Sequence, residues 1–174
     1  ADLGRLVPGT PEFIAALKSE INKLASGNVN KNELDFTNYV AVGDSLTAGY
    51  MDLAVFKAAQ ENSIPNILAG KFGTNFLQPL VNDNIGGMVN ELGDILIQPR
   101  LYYDGTGPAV LDAIPTTILT DVLEGSFNNF GVPGAKSYDL TFPGYGQINP
   151  YFGRMASFPM ASVIDDATAM NPTF

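Results

Sequence analysis

Residues 39–50 read Tyr-Val-Ala-Val-Gly-Asp-Ser-Leu-Thr-Ala-Gly-Tyr, and this stretch holds the chain to one kind of architecture. Tyr39, Val40, Ala41 and Val42 form an apolar run rich in aromatic and β-branched residues, stopped by Gly43 and Asp44. Such a run reads as a buried strand. Leu46, Thr47 and Ala48 can open a helix directly behind it. A strand that turns into a helix is the unit step of α/β folds, and a serine at that turn stands where open sheets bind ligands. The expectation is that Ser45 presents its hydroxyl at the carboxyl end of the strand. The helix behind it would aim free backbone N–H groups at the same spot, which suits a developing oxyanion.

The chain has 174 residues, enough for one α/β domain with a real core and too few for two ordinary ones. With 45% hydrophobic and 16% charged residues it is globular and not disordered. A net charge of −9 argues against nucleic acid or an anionic membrane surface as partner, and is indifferent to neutral esters and glycans. The absence of cysteine excludes disulfides, thiolate nucleophiles and cysteine metal sites, and leaves the compartment unreadable from redox chemistry. No apolar run is long enough to span a bilayer. Ala1-Asp2-Leu3 carries no signal-peptide pattern, as a mature secreted chain would not either. No metal or organic cofactor is implied.

Histidine is absent too, and this is the most telling count. A hydroxyl nucleophile is usually activated by an adjacent base, most often histidine. Either Ser45 is no nucleophile in a Ser-His mechanism, or the imidazole lies on other polypeptide.

Residues 10–26 predict an amphipathic helix: Thr10 caps, Pro11 and Glu12 suit the first turn, and Phe13, Ile14, Leu17, Ile21 and Leu24 make one apolar stripe. With the polar linker at 28–35 it makes an N-terminal segment, 1–37, ahead of the main domain at 38–174. Residues 52–60 are expected to continue helically. Ser63 is a candidate cap for a helix carrying Ile64, Ile67, Leu68 and Phe72, closed by Gly73. Between about 75 and 126, glycines and prolines punctuate scattered apolar residues. An ordered insertion folded over the sheet edge is expected there, with 95–97 and 99–103 as short strands, possible partners in a hairpin. Phe76, Arg100, Tyr102 and Tyr103 either line a cleft or pack the insertion onto the core. Ser137 is a candidate cap of a short helix ending before Pro143-Gly144, and Gly144-Tyr145-Gly146 with Asn149-Pro150-Tyr151 reads as another loop, a candidate to lie near the cleft. Residues 161–170 predict a last helix, with Asp165 and Asp166 solvated, stopped by Asn171-Pro172. Thr173-Phe174 reads as the start of a further strand.

Gly43-Asp44-Ser45-Leu46 after a hydrophobic strand, extended by Thr47-Ala48-Gly49-Tyr50, resembles the first block of the GDSL, or SGNH, serine-hydrolase family. Residues 127–137, Phe-Asn-Asn-Phe-Gly-Val-Pro-Gly-Ala-Lys-Ser, resemble its second block. The resemblance implies an SGNH-like, flavodoxin-like three-layer αβα fold with a parallel sheet, incomplete in this chain. It implies Ser45 as nucleophile and oxyanion donor, Gly134 as a second oxyanion N–H, and Gly43 and Asp44 as the supporting turn. The alternatives are that Ser45 is a plain helix cap and that Pro133-Gly134 is an ordinary turn. The arrangement is also similar to GDSL-type envelope lipoproteins of Bacteroidetes, which implies a secreted or cell-envelope location, although the lipid-anchoring cysteine is absent.

Two further family blocks, Gly-x-Asn-Asp and Asp-x-x-His, do not occur in these residues. The resemblance thus covers the N-terminal portion of a hydrolase domain. It implies an ester hydrolase acting on a small-molecule ester, lipid or acylated glycan, with the catalytic histidine and asparagine supplied by a second polypeptide fragment. The chain alone is then expected to be inactive. Two rival readings are a non-catalytic glycan- or lipid-binding module on a degenerate hydrolase fold, and an interaction domain stabilised by homo-oligomerisation.

Overall fold

The computed structural model describes residues 10–12, 15, 18–19 and 34–174. The chain divides into two compact units, Ala1–Asp35 and Phe36–Phe174. In the first, Pro11, Glu12, Ala15, Lys18 and Ser19 are helical. The rest of the helix expected over 10–26, its apolar stripe included, lies outside the described residues, as does most of the linker at 28–35.

The second unit mixes helices and strands in an α/β arrangement. Strand β1 (Ala41–Gly43) pairs in parallel with β6 (Asn129–Gly131), with Ala41 opposite Asn129, Val42 opposite Phe130 and Gly43 opposite Gly131. Parallel neighbours need a long crossover, and here 85 residues lie between the two strands, 44–128. On the other edge of β1, the Val40 N–H donates to the Phe174 carbonyl at 3.0 Å and the Thr173 N–H to the Asn38 carbonyl at 2.9 Å. Successive N–H groups of a strand point to opposite edges, so the bond from Ala41 to the Asn128 carbonyl and the one from Val40 to Phe174 flank β1 on both sides.

Alternate side chains of this small sheet go to different clusters, as the period of a strand demands. Tyr39 and Ala41 pack with Ala69, Phe72 and Phe76, on and just after helix α3 (Ile64–Phe72). Val40 and Phe130 pack instead with Phe152 of α4 (Pro150–Gly153) and with Val163 and Ala167 of α5 (Val163–Ala169). Phe152, Val132 and Val163 are fully buried there and anchor the larger cluster.

Helix α3 forms where its end signals stand. Ser63 accepts from the Asn66 N–H, Pro65 occupies the first turn, and Gly73 closes the helix in the left-handed conformation. Its buried residues are Pro65 and Ala69, while Ile64, Ile67 and Leu68 are exposed. Helix α5 carries a capping box in which Ser162 and Asp165 exchange bonds. Asp166, expected in solvent, is buried: its carboxylate accepts from the Ser157 N–H at 3.0 Å and from the Ser157 hydroxyl. Among the described residues Ser137 caps no helix; a 3₁₀ turn at Asp139–Thr141 follows Tyr138 instead.

The helix expected over 52–60 shrinks to α2 (Lys57–Glu61). Met51 and Ala54 exchange both backbone bonds, at 3.0 and 2.9 Å, around Asp52 and Leu53, whose φ values are 51° and 60°. Two central residues with positive φ make a type I′ reversal, which halts the helix.

The insertion is ordered. Two of its strands fall within the expected segments 95–97 and 99–103, but they do not pair with each other: each finds a partner that was not expected, at 88–89 and 108–110. Strand β2 (Met88–Val89) pairs antiparallel with β3 (Ile95–Ile97), and β4 (Leu101–Tyr103) with β5 (Pro108–Val110). Asp83 ties the segment together. One carboxylate oxygen accepts from the Ile85 and Gly86 N–H groups and the other from the Thr116 N–H and hydroxyl. Phe76 joins the Tyr39 cluster, and the Arg100 guanidinium lies 5.2 Å over the Phe56 ring, so these two pack the insertion down. Tyr102 and Tyr103 are exposed.

Candidate functional site

Strand β1 delivers the Asp44-Ser45 turn to the carboxyl edge of the sheet. Asp44, not Ser45, is the cap of helix α1 (Ser45–Ala48): its Oδ1 accepts from the Leu46 N–H at 3.0 Å and its carbonyl from the Ala48 N–H at 3.0 Å. Asp44 therefore shapes the turn, and Ser45 becomes the first helical residue. The Ser45 side chain is half-buried and, among the described residues, its hydroxyl has no hydrogen-bond partner. The Ser45 N–H likewise donates to no protein group among the described residues. The helix is a single turn, and Asp44 takes the Leu46 N–H. An anion here would meet individual N–H groups and not the summed dipole of a long helix.

Strand β6 delivers the second turn. The Val132 N–H donates to the Gly43 carbonyl at 2.9 Å, one step beyond the Gly43–Gly131 pair. The chain then reverses through Pro133 and Gly134, closed by a bond from the Ala135 N–H to the Val132 carbonyl at 3.0 Å. Gly134 has φ of 84°, and a proline before it fits only the type II turn, in which the third residue takes positive φ. So Pro133-Gly134 is a Pro-Gly turn. Its type also leaves the Gly134 N–H outside the turn's own bond, and that group has no acceptor among the described residues. Ser45 and Gly134 thus follow closely on the paired residues Gly43 and Gly131, off neighbouring parallel strands, at the same end of the sheet.

Three residues support this rim in roles the sequence does not predict, although Asn149 falls in the loop expected near the cleft. Gly131 lets α1 lie directly on β6. Asn129, buried in β6, donates through Nδ2 to the Thr47 carbonyl at 3.0 Å and to Gln78 Oε1 at 2.9 Å, tying α1 to the sheet. Asn149 donates to the Pro133 carbonyl at 3.0 Å. The available signals are the Asn128-Asn129 pair at the head of an apolar strand and an Asn-Pro step able to start a helix, which it does at α4.

Two tyrosines lie nearby. The Tyr50 N–H donates to the Ser45 carbonyl at 2.9 Å and its hydroxyl to the Leu53 carbonyl at 2.6 Å. Burial, with a smaller contribution from Tyr50, pushes the Tyr151 phenol up to about 12. An open groove of about 310 Å³ is lined by Tyr39, Val42, Leu46, Thr47, Ile64 and Pro65. Ser45 does not line it. Among the described residues, no group of three or more acidic side chains is gathered to hold a metal ion, and no helix is long and apolar enough to cross a membrane.

No protein-family model, curated protein or solved structure matches the chain.

Proposed function

We propose that the chain is the nucleophile-bearing part of a GDSL-type, or SGNH, carboxylic-ester hydrolase. The observation that carries the reading is the shared rim: Ser45 and Gly134 leave adjacent parallel strands at the same end, and both backbone N–H groups are uncommitted among the described residues. The edge order, with β1 between β6 and residue 174, and the clusters on both faces of 39–41 support an SGNH-like, flavodoxin-like αβα fold.

Ser45 Oγ attacks the acyl carbonyl of an ester, a lipid or an acylated glycan. Its proton passes to a base as the C–O bond forms, and the carbonyl oxygen takes the negative charge, held by the Ser45 and Gly134 N–H groups. The C–O bond to the alcohol breaks, the base returns the proton to that alcohol, and water releases the acyl group from Ser45. These residues include no histidine, so the base, and an asparagine as further oxyanion donor, come from polypeptide outside them, either a second fragment or the remainder of the same protein, at a secreted or cell-envelope location. Intact mass spectrometry of the purified sample tests that: a single species containing only these residues counts against a nicked partner.

The decisive experiment supplies imidazole in solution with p-nitrophenyl butyrate and follows butyrylation of the chain by mass. Acylation at Ser45 that vanishes in Ser45→Ala is expected. Equal acylation of both proteins refutes the assignment. The lack of histidine also favours a second reading, a glycan- or lipid-binding module that has lost its base. Such a module stays unlabelled by a fluorophosphonate even with imidazole present.

A further inference from the structure

A trans peptide directs its C=O and N–H in opposite directions, so whatever fixes one fixes the other. In the Val132–Ala135 turn the central peptide joins Pro133 to Gly134. Glycine offers little resistance to rotation of this peptide, and the turn's own bond, between Val132 and Ala135, does not include it. Something else must choose its orientation.

Asn149 does so. Its Nδ2 donates to the Pro133 carbonyl at 3.0 Å and to the Tyr145 hydroxyl at 3.0 Å. Its Oδ1 accepts from the Tyr151 and Phe152 N–H groups at 3.0 and 3.4 Å, as the cap of α4. The amide cannot be turned over, because Oδ1 faces two donors and Nδ2 faces a carbonyl that can only accept. The Asn149 N–H is itself bonded to the Tyr145 carbonyl at 2.9 Å, and Tyr145 and Phe152 sit in the buried cluster under β6. The anchor is therefore part of the core, and the Pro133 carbonyl is held against it.

We infer that Asn149 is a positioning residue: by holding the Pro133 carbonyl toward α4 it keeps the Gly134 N–H turned outward at the rim, ready to receive an oxyanion. This rests on the ester-hydrolase reading for its chemical purpose, but its geometric half is independent of it. The side chain never touches the substrate. It acts through the peptide, and it couples the rim to the packing of α4.

Asn149→Asp separates the two duties of the side chain. Aspartate still caps α4, since a carboxylate accepts from the Tyr151 and Phe152 N–H groups as well as an amide does. It cannot donate to the Pro133 carbonyl, and its charge repels that oxygen. Asn149→Ser, which also caps but cannot span the gap with a donor of the same reach, serves if the charged variant does not fold. Two measurements are made on the full chain. The first is the NOE between Pro133 Hα and the Gly134 N–H, strong in a type II turn and weak once the peptide flips. The second is the rate of Ser45 butyrylation from p-nitrophenyl butyrate with imidazole supplied, over a range of ester concentration.

The expected result is a weakened NOE with about a tenfold fall in the limiting acylation rate and little change in half-saturating ester. That is less than the 10²–10³-fold typical of deleting an oxyanion donor outright, because the N–H still exists and is only misdirected. A full-strength NOE in both variants overturns the positioning role, whatever the enzyme does. A weakened NOE with an unchanged acylation rate overturns its link to the site. Failure of the unmodified protein to acylate at Ser45, with the NOE behaving as expected, overturns the hydrolase reading and with it the purpose assigned to Asn149.

Discussion

Gly131 faces the helix α1 so closely that a methyl group on its Cα would stand 2.2 Å from the Ala48 backbone nitrogen. Nothing at that distance can yield except the backbone of α1, the turn that carries Ser45. Gly131→Ala is therefore expected to cost about 1–3 kcal/mol, as overpacking does, and to displace Ser45. A urea titration checks the stability. The neighbouring Gly43→Ala is expected to be milder, because its closest contact would be Thr47 Oγ1, which can rotate away, leaving only Thr47 Cβ at 2.9 Å to be relieved by a small shift. Equal losses in the two variants would mean that α1 does not rest on β6 in this way.

Asp83 predicts an acid limb in the stability profile. Burial raises its carboxyl, but the bonds from Thr116, Ile85 and Gly86 outweigh that and hold it below the ordinary value. A folded value under the unfolded one means the ionised group stabilises the fold at pH above about 4, and that this contribution is lost as pH falls through the lower folded value. Asp83→Asn should flatten this part of the profile, read as urea midpoints across the acid range. An unchanged slope would show that the carboxylate does not hold the insertion.

Tyr151 predicts an alkaline limb of opposite sense. Its phenol is neutral in the fold until about 12, whereas an exposed tyrosine ionises near 10. The contribution is fully present below the unfolded value and is lost as pH rises through the folded one, between about 10 and 12. Tyr151→Phe should remove that loss. Absorbance titration of the phenols should also lose its latest step in this variant.

Arg154 is 4% exposed and, among the described residues, its Nε has no partner and Nη2 reaches only the Leu80 carbonyl, at 3.5 Å. Burial lowers its pKa, partly offset by Asp121. A buried charge with so few bonds contributes little, and an apolar side chain of similar length often does as well or better. Arg154→Met is expected to unfold at the same or higher urea concentration. A loss above about 2 kcal/mol would reveal a strong partner for the guanidinium.

The parts of the fold legible in the sequence are those fixed by neighbours along the chain. Ser63 and Gly73 mark the ends of α3 by local cap chemistry, and Gly43-Asp44-Ser45 ends a strand and starts a turn of helix by the same means. What escaped depends on distant partners. The reversal at Asp52-Leu53 is secured by Leu101, whose N–H donates to the Asp52 carbonyl at 2.8 Å from far along the chain. Asp166 faces inward because Ser157 offers it two donors. At the candidate site, Ser45 and Gly134 stood out as motif residues. Asn149 was expected only as part of a loop near the cleft, since its meaning lies in the carbonyl of Pro133, a contact no local pattern announces.

Phe36 stacks on Phe72 with ring centroids 4.1 Å apart, and Phe174 leans on Phe36 at 4.6 Å. The two extremities of the 36–174 unit therefore meet in one clump of rings. Far apart along the chain, these residues close the segment between them into a ring through their side chains, so Phe36→Ala would be felt beside residue 174.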